Sequence, residues 1–154
     1  MIDSAIILAA GLGKRMRNYD PDIPKPLIKV NNKPFIQYAI DLLNEIRAKE
    51  IIINVHYKSD KILNFIKNLN QNNIRVSDES DLLLDTGGGI KKILDKHNIN
   101  KSLVLNSDVI WGESDKELIV DMINSYPEET EAFIALVPKK NISGFKGKGD
   151  FCIL

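Results

Sequence analysis

Apolar and polar positions along the chain fall into two alternating patterns. Short runs rich in Ile and Val read as strands: Ala5–Ala9, Ile51–Val55, Ile74–Val76, Leu103–Leu105 and Ala132–Val137. Between them lie longer stretches whose apolar residues recur at helical spacing. In Pro34–Arg47 the residues Phe35, Ile36, Ala39, Ile40, Leu42, Leu43 and Ile46 share that period, and Pro34 is placed to open the helix. Ser59–Leu69 repeats the pattern, with Ser59 suited to an N-cap. A third helix opens at Gly89–Leu94, after a glycine run, and Asp115–Ser125 reads as a fourth. Strand-then-helix alternation argues for an α/β fold with a mostly parallel sheet and helices on both faces.

Composition narrows the picture only a little. The 154 residues fit one domain, 1–154, large enough to bury a core. Hydrophobic residues at 44% and charged residues at 27% are ordinary for a soluble globular protein. Lys plus Arg, 21, balances Asp plus Glu, 21, which argues against a general nucleic-acid binder while leaving room for a local basic site. The one cysteine, Cys152, makes no intrachain disulfide and has no Cys/His set around it to hold zinc. No apolar run suits a signal segment or a membrane helix, so the expected location is the cytoplasm, with no membrane partner.

Candidate chemistry concentrates where strands end. In parallel α/β sheets, ligands sit beyond the carboxyl ends of the strands. Three segments follow strands there: the 10–27 loop, the 85–89 glycine run, and Asn106-Ser107-Asp108. Gly11 and Gly13 permit unusual backbone angles and close approach of a phosphate, and equally suit a plain tight turn. The loop is neither a Walker A motif nor a dinucleotide fingerprint, because position 16 carries Met16 rather than a third glycine. Arg15 and Lys25 add charge from two sides. Lys25 lies between Pro24 and Pro26, a rigid mount that also biases it toward an extended backbone; an exposed lysine in a Pro-rich turn has the same sequence. Asp108 at a strand end suits a magnesium ligand, or a turn cap.

Taken together, LAAGLGKRM, PKPL, Thr86-Gly87-Gly88-Gly89 and the NSDV run from Asn106 to Val109 resemble the signature of the sugar-1-phosphate nucleotidyltransferases. DTGGGI, the NSD strand end and GKGDF are most similar to the N-acetylmuramic acid 1-phosphate uridylyltransferases and the related mannose-1-phosphate guanylyltransferase-like proteins. The resemblance covers essentially the whole chain. It implies a three-layer α/β/α Rossmann-like fold and transfer of a nucleoside monophosphate, from UTP in the first instance, to a sugar 1-phosphate. By position, it implies that Leu8, Ala10, Gly11 and Gly13 hold the base and phosphates, with Thr86, Gly87 and Gly88 lining the nucleoside pocket and Glu79 a further base contact. It implies that Arg15 stabilises triphosphate charge, that Lys25 holds the sugar phosphate, that Asp108 ligates a catalytic Mg²⁺, and that Gly149 lies near the acceptor. Charge neutralisation and positioning drive such reactions, which agrees with these residue types.

Two features depart from the family pattern. After Met16 the family has a proline and then a hydroxyl residue, where this chain runs Arg17-Asn18-Tyr19-Asp20. Family members also continue further, with a second metal-binding aspartate and more sugar contacts, whereas this chain stops at Phe151-Cys152-Ile153-Leu154, within an apolar run that reads as a strand. The expectation is a fold lacking its C-terminal part, with an uncovered edge for a complementary fragment or self-association. Two other functions remain on the table: a nucleotide-binding remnant without turnover, and phosphocholine cytidylyl transfer. Outside these motifs, His56 reads as structural, His97 as an exposed loop residue and Trp111 as a packing residue.

Overall fold

Ser4–Leu8 forms the first strand, β1, at the centre of a four-stranded parallel sheet. The computed structural model describes residues 2–16, 20–144, 146–149 and 151, with Arg15 described by its backbone alone. The remaining elements follow in chain order: β2 (Lys29–Val30), β3 (Lys33–Pro34), α1 (Phe35–Glu45), β4 (Glu50–Val55), α2 (Ser59–Leu69), β5 (Ile74–Asp78), α3 (Asp85–His97), β6 (Leu103–Asn106) and α4 (Glu113–Asn124). The sheet order is β5-β4-β1-β6, and β2 with β3 makes a small antiparallel ribbon before α1.

Alternation along the strands divides the core in two. Ala5, Ile7, Ile51, Ile53, Val55, Leu103 and Leu105 face one way, against Ile36, Ile40 and Leu43 of α1, Ile62 of α2 and Ile119 of α4. Ile6 and Ile52 face the other way, against Ile93 of α3. The layers are therefore α/β/α as expected, but among the described residues three helices cover one face and α3 alone covers the other. Ile6, Ile7, Ile51, Ile52 and Ile53 are wholly buried. Each such side chain contributes about 1.5–3 kcal/mol by leaving water.

Parallel pairing aligns the strand ends. Leu8 lies opposite Asn54 on β4 and Asn106 on β6, and Asn54 lies opposite Ser77 on β5. That row marks the carboxyl edge of the sheet, from which the three candidate segments leave. At the opposite edge, each helix-to-strand return passes through a left-handed residue: Arg47 (φ 60°), Asn70 (φ 50°) and Asn98 (φ 52°). After α1 this closes a Schellman motif, in which Arg47 N–H donates to Asn44 O (3.0 Å) and Ala48 N–H to Leu43 O (2.9 Å).

The structure corrects four local expectations. Lys58, in the left-handed region, is the N-cap of α2, and Ser59 is its first helical residue, with its hydroxyl 3.2 Å from that of Ser80. α3 begins at Asp85, so the glycine run lies inside the helix rather than before it. Gly89 is buried there against Asn54 and Glu79, where a larger residue has no room. Ala132–Val137 is not a strand: it is irregular, and Phe133, Ile134, Leu136 and Val137 are all exposed. Strand propensity describes fit to a pleated, half-buried surface, and this segment meets no sheet edge. His97 ends α3 half-buried instead of lying in a loop. Phe151 is exposed and irregular, while Cys152, Ile153, Leu154 and the Arg17-Asn18-Tyr19 stretch fall outside the described residues.

Candidate active site

A cavity of about 570 Å³ opens at the carboxyl edge, and the three segments expected to converge do so around it. Its first wall is the chain leaving β1. Gly13 is in the left-handed region (φ 57°), and a Cβ there would lie 3.2 Å from Lys25 Cβ. Glycine is thus required at position 13 both by conformation and by the close approach of the Pro-Lys-Pro segment. Lys14–Met16 then turns as one 3₁₀ unit, closed by Met16 N–H donating to Gly13 O (2.9 Å). Gly11 faces open space, with nothing within 4 Å of where its Cβ would be.

Lys25 forms the second wall. It opens a 3₁₀ turn, Lys25–Leu27, between the buried rings of Pro24 and Pro26. Pro24 is the extended residue (φ −64°, ψ 143°), so the extended backbone expected at Lys25 gives way to a turn. Across the cavity the Lys25 ammonium pairs with the Asp108 carboxylate, with both side chains 31% exposed. The proposed phosphate cation and the proposed metal ligand thus satisfy each other in this state. Asp108 follows β6, and Ser107 N–H continues the parallel ladder to Leu8 O (3.3 Å), which fixes the loop beside β1.

The third wall is the start of α3. Asp85 is left-handed (φ 59°), and its carboxylate accepts from Thr86 N–H at 2.9 Å. Thr86 lines the cavity; Gly87 and Gly88 lie behind it, in the first turn of the helix, and do not. Of the residues singled out from sequence, Leu8, Ala10, Gly11, Gly13, Lys25, Thr86 and Asp108 share this cavity. Glu79 does not reach it: only 1% of the residue is exposed, and its carboxylate accepts from Asn54 Nδ2 (2.9 Å) and Leu84 N–H (3.3 Å). Gly149 lies in an exposed stretch away from the cavity lining. The Arg15 side chain is outside the described residues.

Asn54 is the lining residue that sequence reading passed over. It is 2% exposed, interrupts the apolar run of β4 before Val55, and its Oδ1 accepts from Ala9 N–H at 2.7 Å. A lone amide within an Ile-rich strand was the available signal, since buried polar groups need partners. His56 is structural as expected, with Nδ1 2.6 Å from Glu79 O. Trp111 packs against the larger core. Next to Glu79, the Asp78 carboxyl is held below its ordinary range by the Ser80 hydroxyl and then by Ser80 N–H.

The residues lining the cavity at the end of β6 are Asn106, Ser107 and Asp108, whose side chains all carry oxygen. That set suits a hard cation, and Mg²⁺ binds proteins through one or two carboxylates, completing its shell with phosphate oxygens and water. Among the described residues no group of three or more His, Cys, Asp or Glu gathers as a metal site. No helix among the described residues is long and apolar enough to cross a membrane.

A parallel α/β sheet with a glycine loop, a lysine between prolines and a strand-end aspartate around one cavity at its carboxyl edge places the chain in the Rossmann-like class. The chain belongs to the nucleotidyl transferase family, whose sequence model matches residues 4–146. It is 32% identical over 151 residues to N-acetylmuramate alpha-1-phosphate uridylyltransferase of Caulobacter vibrioides, covering 95% of this chain and 62% of that protein. It is 39% identical over 108 residues to D-glycero-alpha-D-manno-heptose 1-phosphate guanylyltransferase of Campylobacter jejuni, covering 70% of this chain and 48% of that one. Among solved structures, HddC from Yersinia pseudotuberculosis is similar with a TM-score of 0.66 at 31% identity, over 80% of this chain and 55% of that chain. A nucleotidyl transferase from Methanothermobacter thermautotroptrophicus, 14% identical with a TM-score of 0.67, shares the fold. The chain thus spans between about half and 62% of the length of these relatives.

Proposed function

We propose that residues 1–154 form a single nucleotidyltransferase domain that transfers a nucleoside monophosphate from a nucleoside triphosphate to a sugar 1-phosphate, releasing pyrophosphate. The observation that carries this reading is the meeting of Gly13, Lys25, Thr86 and Asp108 around one cavity. Backbone N–H groups from the glycine loop hold the phosphates, and Arg15 adds charge from the same loop. Lys25 leaves Asp108 and takes the sugar phosphate, holding its oxygen in line with the α-phosphorus. Asp108, once released, is a ligand for Mg²⁺, which when bound neutralises charge on the phosphates. UTP is the first nucleotide to test, because the similarity to the Caulobacter vibrioides uridylyltransferase covers 95% of the chain. GTP comes next, on the similarity to guanylyltransferases.

Pyrophosphate release with UTP, GTP, CTP or dTTP against a panel of sugar 1-phosphates, in the presence of Mg²⁺, tests the proposal. Turnover lost in Arg15→Ala or Lys25→Ala supports it. Calorimetric binding of a nucleotide with no turnover reduces the reading to a nucleotide-binding module, and no binding of any nucleotide refutes both. Among the described residues β6 lies at an edge of the sheet, with its Val104 exposed, which supports a covering partner: a complementary fragment or a second copy. A stable, monodisperse monomer by light scattering would count against that partner.

A further inference from the structure

Two buried polar side chains join the walls of the cavity from behind. Asn54 accepts from Ala9 N–H at the start of the glycine loop (2.7 Å) and donates through Nδ2 to Glu79 Oε1 (2.9 Å). Glu79 Oε2 accepts from the N–H of Leu84, the residue before Asp85 and Thr86 (3.3 Å). An unbroken path of hydrogen bonds therefore runs from the phosphate loop to the start of α3. It has little slack. Glu79 N–H is tied to Val55 O (2.8 Å) and its carbonyl lies 2.6 Å from His56 Nδ1. Gly89 closes over the pair so tightly that a Cβ would lie 2.7 Å from Glu79 Oε1 and 2.8 Å from Asn54 Nδ2.

The direction of the path is forced. Backbone N–H groups only donate, so Ala9 requires an acceptor and Asn54 turns its carbonyl oxygen there. Its NH₂ group then faces Glu79, which must accept. Leu84 N–H approaches from the other side and needs a second acceptor. A side chain with two acceptor oxygens is a carboxylate, so glutamate rather than glutamine fits position 79 as long as Asn54 is present.

We infer that Asn54 and Glu79 are positioning residues. They hold the glycine loop and the start of α3 at the separation that the nucleotide occupies, and Glu79 acts through Asn54 rather than by touching the base. This role rests on the nucleotide reading of the cavity given above.

An exchange of the two functional groups tests it. Asn54→Asp alone sets two carboxylates against each other, and Glu79→Gln alone leaves one donor facing another donor. In the double variant the new amide donates to the new carboxylate, its carbonyl accepts from Leu84 N–H, and every bond is restored, with only the bond between positions 54 and 79 reversed in direction. Each single substitution is expected to weaken UTP binding, read by calorimetry with GTP as the second probe, by about tenfold, and the double variant to regain most of it. Amide hydrogen exchange supplies a readout without nucleotide: Glu79→Gln is expected to lower protection at Ala9, two hydrogen bonds away. Single variants that bind as wild type does, or an Ala9 amide indifferent to Glu79→Gln, overturn the inference. A single variant that fails to fold while the double variant folds supports it; a double variant that fails to fold overturns it. Wild type that binds no nucleoside triphosphate overturns the functional reading and with it the binding role, and protection at Ala9 then decides whether the path couples the two walls.

Discussion

Gly89→Ala adds one methyl group at the tightest point of the molecule. The new Cβ would meet Glu79 Oε1 at 2.7 Å and Asn54 Nδ2 at 2.8 Å, both well inside van der Waals contact. Side-chain ends normally yield cheaply. These do not, because both residues are buried, at 1% and 2% exposure, and each is hydrogen-bonded on two sides. Overpacking of a dense interior costs about 1–3 kcal/mol. Prising Asn54 from Glu79 leaves buried polar groups unsatisfied at a further cost of about 1–3 kcal/mol. Against this stands a gain of about 1 kcal/mol from alanine's better helix propensity. The net expectation is a loss of about 1–5 kcal/mol, and each kcal/mol lowers Tm by roughly 2–4 °C for a chain of this size. Urea denaturation with linear extrapolation measures it, and Gly87→Ala is the control. Position 87 lies in the same helix with nothing within 4 Å of its Cβ, so alanine there is expected to stabilise by up to about 1 kcal/mol. Gly89→Ala as stable as wild type would refute the packing argument.

Three further outcomes are expected. Lys25→Met removes one partner of a pair that is 31% exposed on each side, so stability should change by less than about 1 kcal/mol. Pyrophosphate release should nevertheless fall about 100-fold or more, a split that thermal melts and turnover assays read separately. Arg47→Gly relieves a left-handed non-glycine residue (φ 60°) in the Schellman turn and should stabilise by about 1 kcal/mol, measured by the urea midpoint. Ser80→Ala removes the largest cause of the depressed Asp78 pKa. A carboxyl depressed in the fold contributes stability above its ordinary value of 3.8 and loses it as pH falls through the folded value, so the variant's Asp78 should titrate closer to 3.8 and its acid-limb contribution should shrink. Carboxyl NMR titration checks this, and an unmoved Asp78 would refute it.

The parts of this fold that were legible in the sequence are those set by periodicity. Helical spacing located α1 and α2, and the Ile-rich runs located β1 and β4, because both signals report burial on one side or on both. The cavity was legible for a topological reason: parallel strands send their carboxyl ends to one edge, so segments 83 residues apart, such as Lys25 and Asp108, could be expected to meet. What escaped was set by tertiary contact. The glycine run reads as a lead-in to a helix that opens at Gly89, until the Asn54–Glu79 pair supplies the reason why Gly89, inside the helix, has no side chain. Glu79 reads as a base contact by resemblance until its burial shows where the carboxylate is spent. Ala132–Val137 has strand-like composition, but a strand also requires a neighbour.

The left-handed returns at Arg47, Asn70 and Asn98 lie at the amino edge of the sheet, opposite the cavity. Among the described residues the sheet is in effect two-ended: one rim carries the candidate site, and at the other the chain turns around. Exposed turns that carry no chemistry are where extra sequence is best tolerated. The turn at Asn70 therefore offers a place to graft a fluorophore tag or an affinity peptide, with the length of the sheet between the graft and the cavity.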